Sequence, residues 1–146
     1  MFVQKKEIGN KIIDATQNKW VDPTNKFIGF NDAKYYAPAR QEIENYLYHN
    51  GIRLMPNDPL GNTEGFDCDD FAFALKGNIA IFNRNVARKP HSWAVGLIWG
   101  EFDWVPGPHV INWVFTRDNG LFLIEPQNGK LENFGRCKGN ISLVVL

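Results

Sequence analysis

The sequence lacks an excess of charge, a long apolar segment and a cysteine framework. Sixteen Lys and Arg are offset by sixteen Asp and Glu, so no long-range field favours nucleic acid or an anionic membrane as a partner. Residues 1–20 contain no continuous apolar stretch, which argues against a secretory signal or membrane span and makes the cytoplasm the default compartment. Two cysteines without a CxxC partner exclude a disulfide framework and the usual zinc patterns.

The chain does contain enough apolar residues to close a core. Its 146 residues fall in the size range of one domain, and 44% of them are hydrophobic. Pro and Gly are scattered as turn residues rather than gathered in a linker, and no internal repeat is visible. We therefore expect a single domain over residues 1–146.

Two segments have helical periodicity. The first begins at Pro38 and ends at Gly51, which serves as a C-cap. The second is stronger, because its apolar residues recur at intervals of three and four: Cys68, Phe71, Ala72, Leu75, Ile79 and Phe82. Asp67 is a natural N-cap for this second helix and places Cys68 in its first turn. Residues 1–32 show no clear period, and we expect loop there with one short helix.

The second half of the chain reads as strands. Residues 92–100, 109–116, 120–126 and 141–146 alternate or run apolar in the manner of strands. The sequence Asp118, Asn119, Gly120 is a hairpin turn signal between two of them. Helices followed by a meander of strands predict the α+β class, with the helix that begins at Cys68 packed on an antiparallel sheet.

Cys68 is the first candidate functional residue. A thiol in the first turn of a helix lies near unpaired N–H groups and the positive end of the dipole, which favour the thiolate nucleophile. The alternative is a small buried hydrophobic residue, the commoner role of a lone cysteine. The neighbouring carboxylates of Asp67, Asp69 and Asp70 oppose thiolate formation by repulsion. Either those carboxylates point away from the sulfur, or they hold a cation.

A cation site is the second hypothesis at this helix start. Asp69 and Asp70 offer the hard oxygen ligands that calcium prefers, and Glu101 with Asp103 forms a second acidic pair. The alternative is an ordinary capped and solvated helix start. The sequence therefore names calcium as the one candidate cofactor.

A nucleophilic thiol needs a base, and His109 is the best placed of three histidines. It begins a strand after the rigid turn VPGP, whereas His49 ends a helix and His91 lies in a basic loop. If the Asp118–Gly120 turn closes a hairpin, Glu125 ends the next strand beside the start of the His109 strand. A carboxylate there would orient the imidazole. Gln127 would then help bind an acyl oxygen.

These motifs carry a family resemblance. FDCDDFAFALKG, HVINWVF and LIEPQNGKL, with YYAPARQEIENYL before them, resemble the papain-like cysteine protease domain at the C-terminus of fungal chimerolectins, such as the Marasmius oreades agglutinin. The likeness runs from about residue 35 onward, in the order Cys, His, Glu. The chain has no QxW repeats, so the family's sugar binding is not carried over.

The resemblance implies a papain-like fold, calcium dependence and proteolysis with Cys68 as nucleophile, His109 as base and Glu125 as orienting acid. We therefore predict a papain-like or transglutaminase-like cysteine hydrolase that acts on a peptide or protein. Two alternatives stay open: acyl transfer of the transglutaminase kind, and a non-catalytic binding module on the same fold. The oligomeric state is not predicted.

Overall fold

The computed structural model describes residues 1–50, 67–118 and 120–146. Its helices in this part of the chain are α1 (Lys5–Thr16), α2 (Arg40–Asn50) and α3 (Cys68–Phe82), and α3 continues into a π-helical turn, Asn83–Ala87. Its strands are β1 (Phe2–Gln4), β2 (Ile28–Gly29), β3 (Lys34–Tyr36), β4 (Val95–Phe102), β5 (Pro108–Thr116), β6 (Gly120–Glu125), β7 (Lys130–Asn133) and β8 (Cys137–Val145). A short 3₁₀ turn, Phe134–Arg136, precedes β8.

The N-terminal region is more ordered than its sequence predicts. β1 pairs antiparallel with β3. α1 follows β1 directly and buries Ile8 and Ile12, which lie one helical turn apart on the same face. One short helix was expected in residues 1–32, and α1 is that helix. Its apolar stripe is narrow, which explains why the periodicity did not predict its bounds. Within residues 1–50, 67–118 and 120–146, no helix combines the length and apolarity needed to cross a membrane.

The two predicted helices are present. α2 begins two residues after Pro38, and Gly51, its predicted C-cap, lies outside the described residues. α3 begins at Cys68 after Asp67, whose extended backbone is that of an N-cap and whose N–H donates to the Asp70 carboxylate at 3.3 Å. The predicted apolar stripe of α3 is buried at Phe71, Ala72, Leu75 and Ile79.

The larger sheet has six strands in the order β2-β8-β4-β5-β6-β7. The strands β4 to β7 pair antiparallel in sequence order, as a meander would, and β5 pairs with β6 across the predicted hairpin turn. The last strand departs from the meander, because β8 returns to pair with β4. The sheet is also not purely antiparallel as predicted, since β2 joins β8 in parallel.

Two features fix α3 against this sheet. The buried side-chain amide of Asn112 on β5 donates to the carbonyls of Ala72 (2.9 Å) and Gly96 (3.2 Å), and so joins the helix to β4. Gly96 faces the indole of Trp113, and a Cβ added at Gly96 would lie only 2.7 Å from that ring. The start of α3 is thus held over β4 and β5, where the candidate residues lie.

Candidate functional site

A cleft opens where the start of α3 meets the ends of β4, β5 and β8. We call it the Cys68 cleft; its volume is about 150 Å³, and it is lined by Cys68, Trp99, Gly100, Glu101, Pro108, His109, Val110, Asn140 and Ser142. Cys68 and His109 were both predicted to contribute to one site, and the structure places both of them in this cleft. Trp99, Asn140 and Ser142 are additional residues that the sequence did not single out.

His109 and Glu125 form a buried pair behind the cleft. The two side chains are 8% and 5% exposed, and the His109 Nε2 lies 3.0 Å from the Glu125 Oε2. The Trp104 Nε1 donates to the same oxygen at 3.1 Å, and the Gln127 backbone N–H donates to Oε1 at 3.2 Å. Burial alone would raise the pKa of Glu125, but the hydrogen bonds from His109 and Trp104 outweigh it and leave that pKa below its ordinary value. Glu125 is therefore a buried, ionised carboxylate at neutral pH.

The sheet register explains this pairing. Asn112 is opposite Ile124 in the β5–β6 ladder, so Glu125 is a diagonal neighbour of His109 at one end of the hairpin. The sequence predicted this adjacency from the turn alone. Trp104 belongs to the β4–β5 turn, and its ring also carries the Arg136 guanidinium 4.9 Å from its centroid. A buried carboxylate needs several donors, a requirement that could have drawn attention to Trp104.

The surroundings of Cys68 differ from those that the sequence suggested. It is a half-buried free thiol, and among the described residues no hydrogen bond joins its sulfur to the His109 ring. The carboxyl group of Asp69 shares a hydrogen bond with Asp67, and this bond, with some burial and the Asp67 charge, raises the pKa of Asp69. Two acidic side chains thus flank the thiol at the start of α3.

The acidic residues group differently from the prediction. Ligand atoms of Asp67, Cys68 and Asp69 lie within 4.8 Å of one another, whereas Asp70 accepts from the Asp67 backbone. Asp103 is paired with Arg136 at 2.7 Å and does not join the cluster.

Among the described residues, Gln127 is not one of those that line the Cys68 cleft, and its backbone N–H donates to Glu125. The other cysteine, Cys137, is a buried free thiol on β8. Burial raises the pKa of Cys137, which disfavours its thiolate.

Comparisons with known proteins point to lectins. A family model described as the ricin-type β-trefoil lectin C-terminal domain matches residues 10–141. No curated protein matches the chain. A structure described as a PSL1a–E64 complex superposes with a TM-score of 0.76 and 22% identity, over 99% of this chain and 51% of that one. Polyporus squamosus lectin, bound to the human-type influenza-binding epitope Neu5Acα2-6Galβ1-4GlcNAc, gives 0.68 and 22%, over 99% and 49%. This chain thus spans about half the length of those structures.

The comparisons confirm the resemblance to the C-terminal domain of fungal chimerolectins. The prediction of a papain-like or transglutaminase-like fold is wrong, because the family and the structural neighbours are lectins, in a fold dominated by sheet. A helix that begins with cysteine and packs on a sheet does not by itself define a fold, and this explains the error.

The predicted activity is wrong for the same reason. The family and its neighbours are lectins, which contradicts a cysteine hydrolase, a transglutaminase-like enzyme and a peptide or protein substrate. A thiol and an imidazole in one cleft, with a carboxylate behind the imidazole, are insufficient evidence of catalysis when no hydrogen bond among the described residues connects the thiol to its base. The alternative of a binding module is better supported, although not as an inactivated enzyme.

Proposed function

Because the chain belongs to the ricin-type β-trefoil lectin C-terminal domain family, we propose that it is a carbohydrate-binding module whose ligand occupies the Cys68 cleft. The lectin neighbour with a bound sialylated trisaccharide supports a glycan as the ligand class. The half of that lectin which this chain does not match is the alternative location of its glycan site, so the proposal needs support from this chain's own residues.

The observation that carries the proposal is a pair of accessible aromatic rings beside polar groups. Phe73 on α3 is 53% exposed, and its ring centroid lies 6.0 Å from that of half-buried Trp99, which lines the cleft. An aromatic face packs against the apolar face of a sugar ring, while nearby polar side chains bind its hydroxyl groups. Glu101, Asn140 and Ser142 provide those polar groups around the same cleft.

The predicted residues Cys68, His109 and Glu125 have binding roles in this proposal. Glu125 accepts at the Nε2 side of His109 and fixes the ring orientation, so that His109 Nδ1 is the ring atom left to meet a ligand hydroxyl. Cys68 lines the same cleft as His109.

A calcium ion is proposed at the start of α3, next to this cleft. Asp67 and Asp69 fit a hard cation, because their carboxylate oxygens lie within 4.8 Å of each other and a cation would relieve the repulsion between them. The same pair, rather than Asp69 with Asp70, would hold the ion. We expect CaCl2 to raise the melting temperature and Asp69→Asn to abolish that rise. An equal response of both proteins to CaCl2 would exclude this site.

Glycan binding is tested with the trisaccharide Neu5Acα2-6Galβ1-4GlcNAc immobilised on a sensor surface. We expect this chain to bind, and Trp99→Ala to weaken binding at least tenfold by removing the aromatic face. Phe27→Ala is the matched control, since Phe27 is 57% exposed and does not line the cleft, and its binding should equal that of the parent chain. Absence of binding, or equal loss in both variants, would refute the proposal.

A further inference from the structure

Glu101 is a charged side chain of the Cys68 cleft without a partner of its own. It is half-buried and lines the cleft together with Trp99 and His109. In the described part of the chain its carboxylate joins no ion pair and accepts no hydrogen bond, whereas Asp103, two residues later, is paired with Arg136. A carboxylate partly withdrawn from water needs donors, and a ligand in the cleft can supply them.

Glu101 and Trp99 lie on the same face of β4. The β4–β5 ladder is regular here, with Trp99 opposite Val110 and Glu101 opposite Pro108. Residues two apart on a strand point to the same face and lie about 6–7 Å from each other. An aromatic ring and a carboxylate at that spacing can contact one sugar ring together, the indole on its apolar face and the carboxylate on its hydroxyl groups.

Acidic groups dominate the surroundings of Glu101. Carboxylate oxygens of Asp67 and Asp69 lie within 4.8 Å of each other at the start of α3, beside the cleft. The His109–Glu125 pair carries no net positive charge, because the ionised carboxylate offsets any proton on the ring. A calcium ion held by the two aspartates would still leave the charge of Glu101. The cleft is therefore a site of negative potential.

Basic side chains do not offset these charges. Among the described residues, none of those that line the cleft is Lys or Arg. Arg136 is engaged by Asp103 at 2.7 Å and by Glu132 at 2.5 Å. Lys138 precedes the β8 residue that pairs with Glu101, but it is exposed and does not line the cleft. An anionic ligand would therefore enter the cleft against repulsion.

We propose that Glu101 makes the Cys68 cleft selective for a sugar ring without negative charge, an inference that rests on the proposed glycan site. The ring packs against Trp99 and its hydroxyl groups donate to the Glu101 carboxylate, whereas the carboxylate of an acidic sugar is repelled. The cleft volume of about 150 Å³ is below the roughly 300 Å³ at which small-molecule sites begin, so the cleft admits only part of an oligosaccharide. From Neu5Acα2-6Galβ1-4GlcNAc, the neutral Galβ1-4GlcNAc part binds and the sialic acid stays outside.

The methyl ester of this trisaccharide tests the preference, because it has almost the same size and shape as the free acid but no charge. Dissociation constants for both compounds are measured through the Trp99 indole N–H resonance of the ¹⁵N-labelled chain. At an ionic strength of about 0.01 M we expect the ester to bind roughly threefold to tenfold more tightly than the acid, the effect of one like-charge contact across a partly solvated cleft. At about 1 M salt the Debye length is about 3 Å, and the two affinities should converge.

The outcomes separate this inference from the proposed function. Equal affinities at low salt, or tighter binding of the acid, would overturn the charge preference and leave the glycan site standing. No response of Trp99 to either compound would refute the glycan site and this preference together.

Two variants assign the preference to Glu101. Glu101→Gln keeps the size and one acceptor oxygen but removes the charge, so it should bind the acid and the ester within about twofold of each other at low salt. Glu44→Gln is the matched control, since it makes the same charge change on α2, outside the cleft lining, and should keep the full preference. A full preference in Glu101→Gln would contradict the assignment. If that variant does not fold, the parent chain still decides, because a preference for the ester that persists at high salt would not be electrostatic and would overturn the proposal.

Discussion

Replacing Glu125 with Gln tests the buried pair behind the Cys68 cleft. The carboxylate accepts three hydrogen bonds, from His109 (3.0 Å), Trp104 (3.1 Å) and the Gln127 backbone (3.2 Å). A glutamine amide has only one oxygen. Its NH₂ group would therefore take the place of one carboxylate oxygen and face a donor that the oxygen had accepted from. At least one buried donor is therefore left unpaired, and the charge assistance to the others is lost.

The magnitude follows from these contacts. An unsatisfied buried donor costs about 1–3 kcal/mol, and the loss of charge-assisted hydrogen bonds adds to it, so we expect Glu125→Gln to destabilise the fold by about 2–4 kcal/mol. The matched control is Glu44→Gln, which removes a surface pair with Arg40 in which both side chains are at least 36% exposed. Exposed i,i+4 pairs contribute only about 0.3–0.5 kcal/mol.

Urea unfolding followed by circular dichroism measures the stability of both variants. If the dependence of the unfolding free energy on urea concentration is the same for all the chains, the shift of the midpoint reports the change in stability. The pKa of Glu125 is lowered in the folded chain, so its stabilisation is fully present above the ordinary pKa of 4.5 and is lost as the pH falls through the folded pKa. The difference between the parent and Glu125→Gln should therefore be large at pH 7 and shrink below about pH 4. A loss below about 1 kcal/mol at pH 7, or one equal to that of Glu44→Gln, would refute this reasoning.

Three further predictions concern packing and titration. Gly96→Ala should destabilise the chain by about 1–3 kcal/mol in urea unfolding, because the new Cβ would overlap the Val145 backbone oxygen and the Trp113 indole; a neutral effect would contradict the packing. Iodoacetamide should alkylate half-buried Cys68 before Cys137, which is 1% exposed, and mass spectrometry of tryptic peptides would expose the reverse order. Burial lowers the pKa of Lys76 to about 8, so the folded chain binds fewer protons than the unfolded chain between about pH 8 and 10.5, and its stability should rise over that range. Lys76→Met should remove this rise, and the same rise in the variant would contradict the assignment to Lys76.

The parts of the fold that depend on local patterns were predictable. The start of α3 at Cys68 follows from the Asp67 cap, and its buried stripe follows from spacing alone. The proximity of His109 and Glu125 followed from one hairpin turn, because antiparallel pairing brings the end of one strand beside the start of the other.

The remaining features depend on contacts between distant segments. The return of β8 to β4 brings Asn140 and Ser142 to the cleft, and no local pattern in residues 137–145 specifies that partner. The choice between enzyme and lectin was also beyond the local motif, since the same side chains serve unrelated functions on different folds. Trp104 is half-buried in the turn between β4 and β5 and donates to Glu125, a contact that no local pattern around Trp104 specifies.

The most direct test of the proposed function is a nuclear magnetic resonance titration of this chain with Neu5Acα2-6Galβ1-4GlcNAc. Carbohydrate binding in the Cys68 cleft predicts saturable shifts of the Trp99 indole N–H and the His109 backbone amide, with the Trp93 indole unchanged. The proposal would be contradicted if only resonances other than those of Trp99 and His109 shifted, or if the spectrum were unchanged at millimolar glycan.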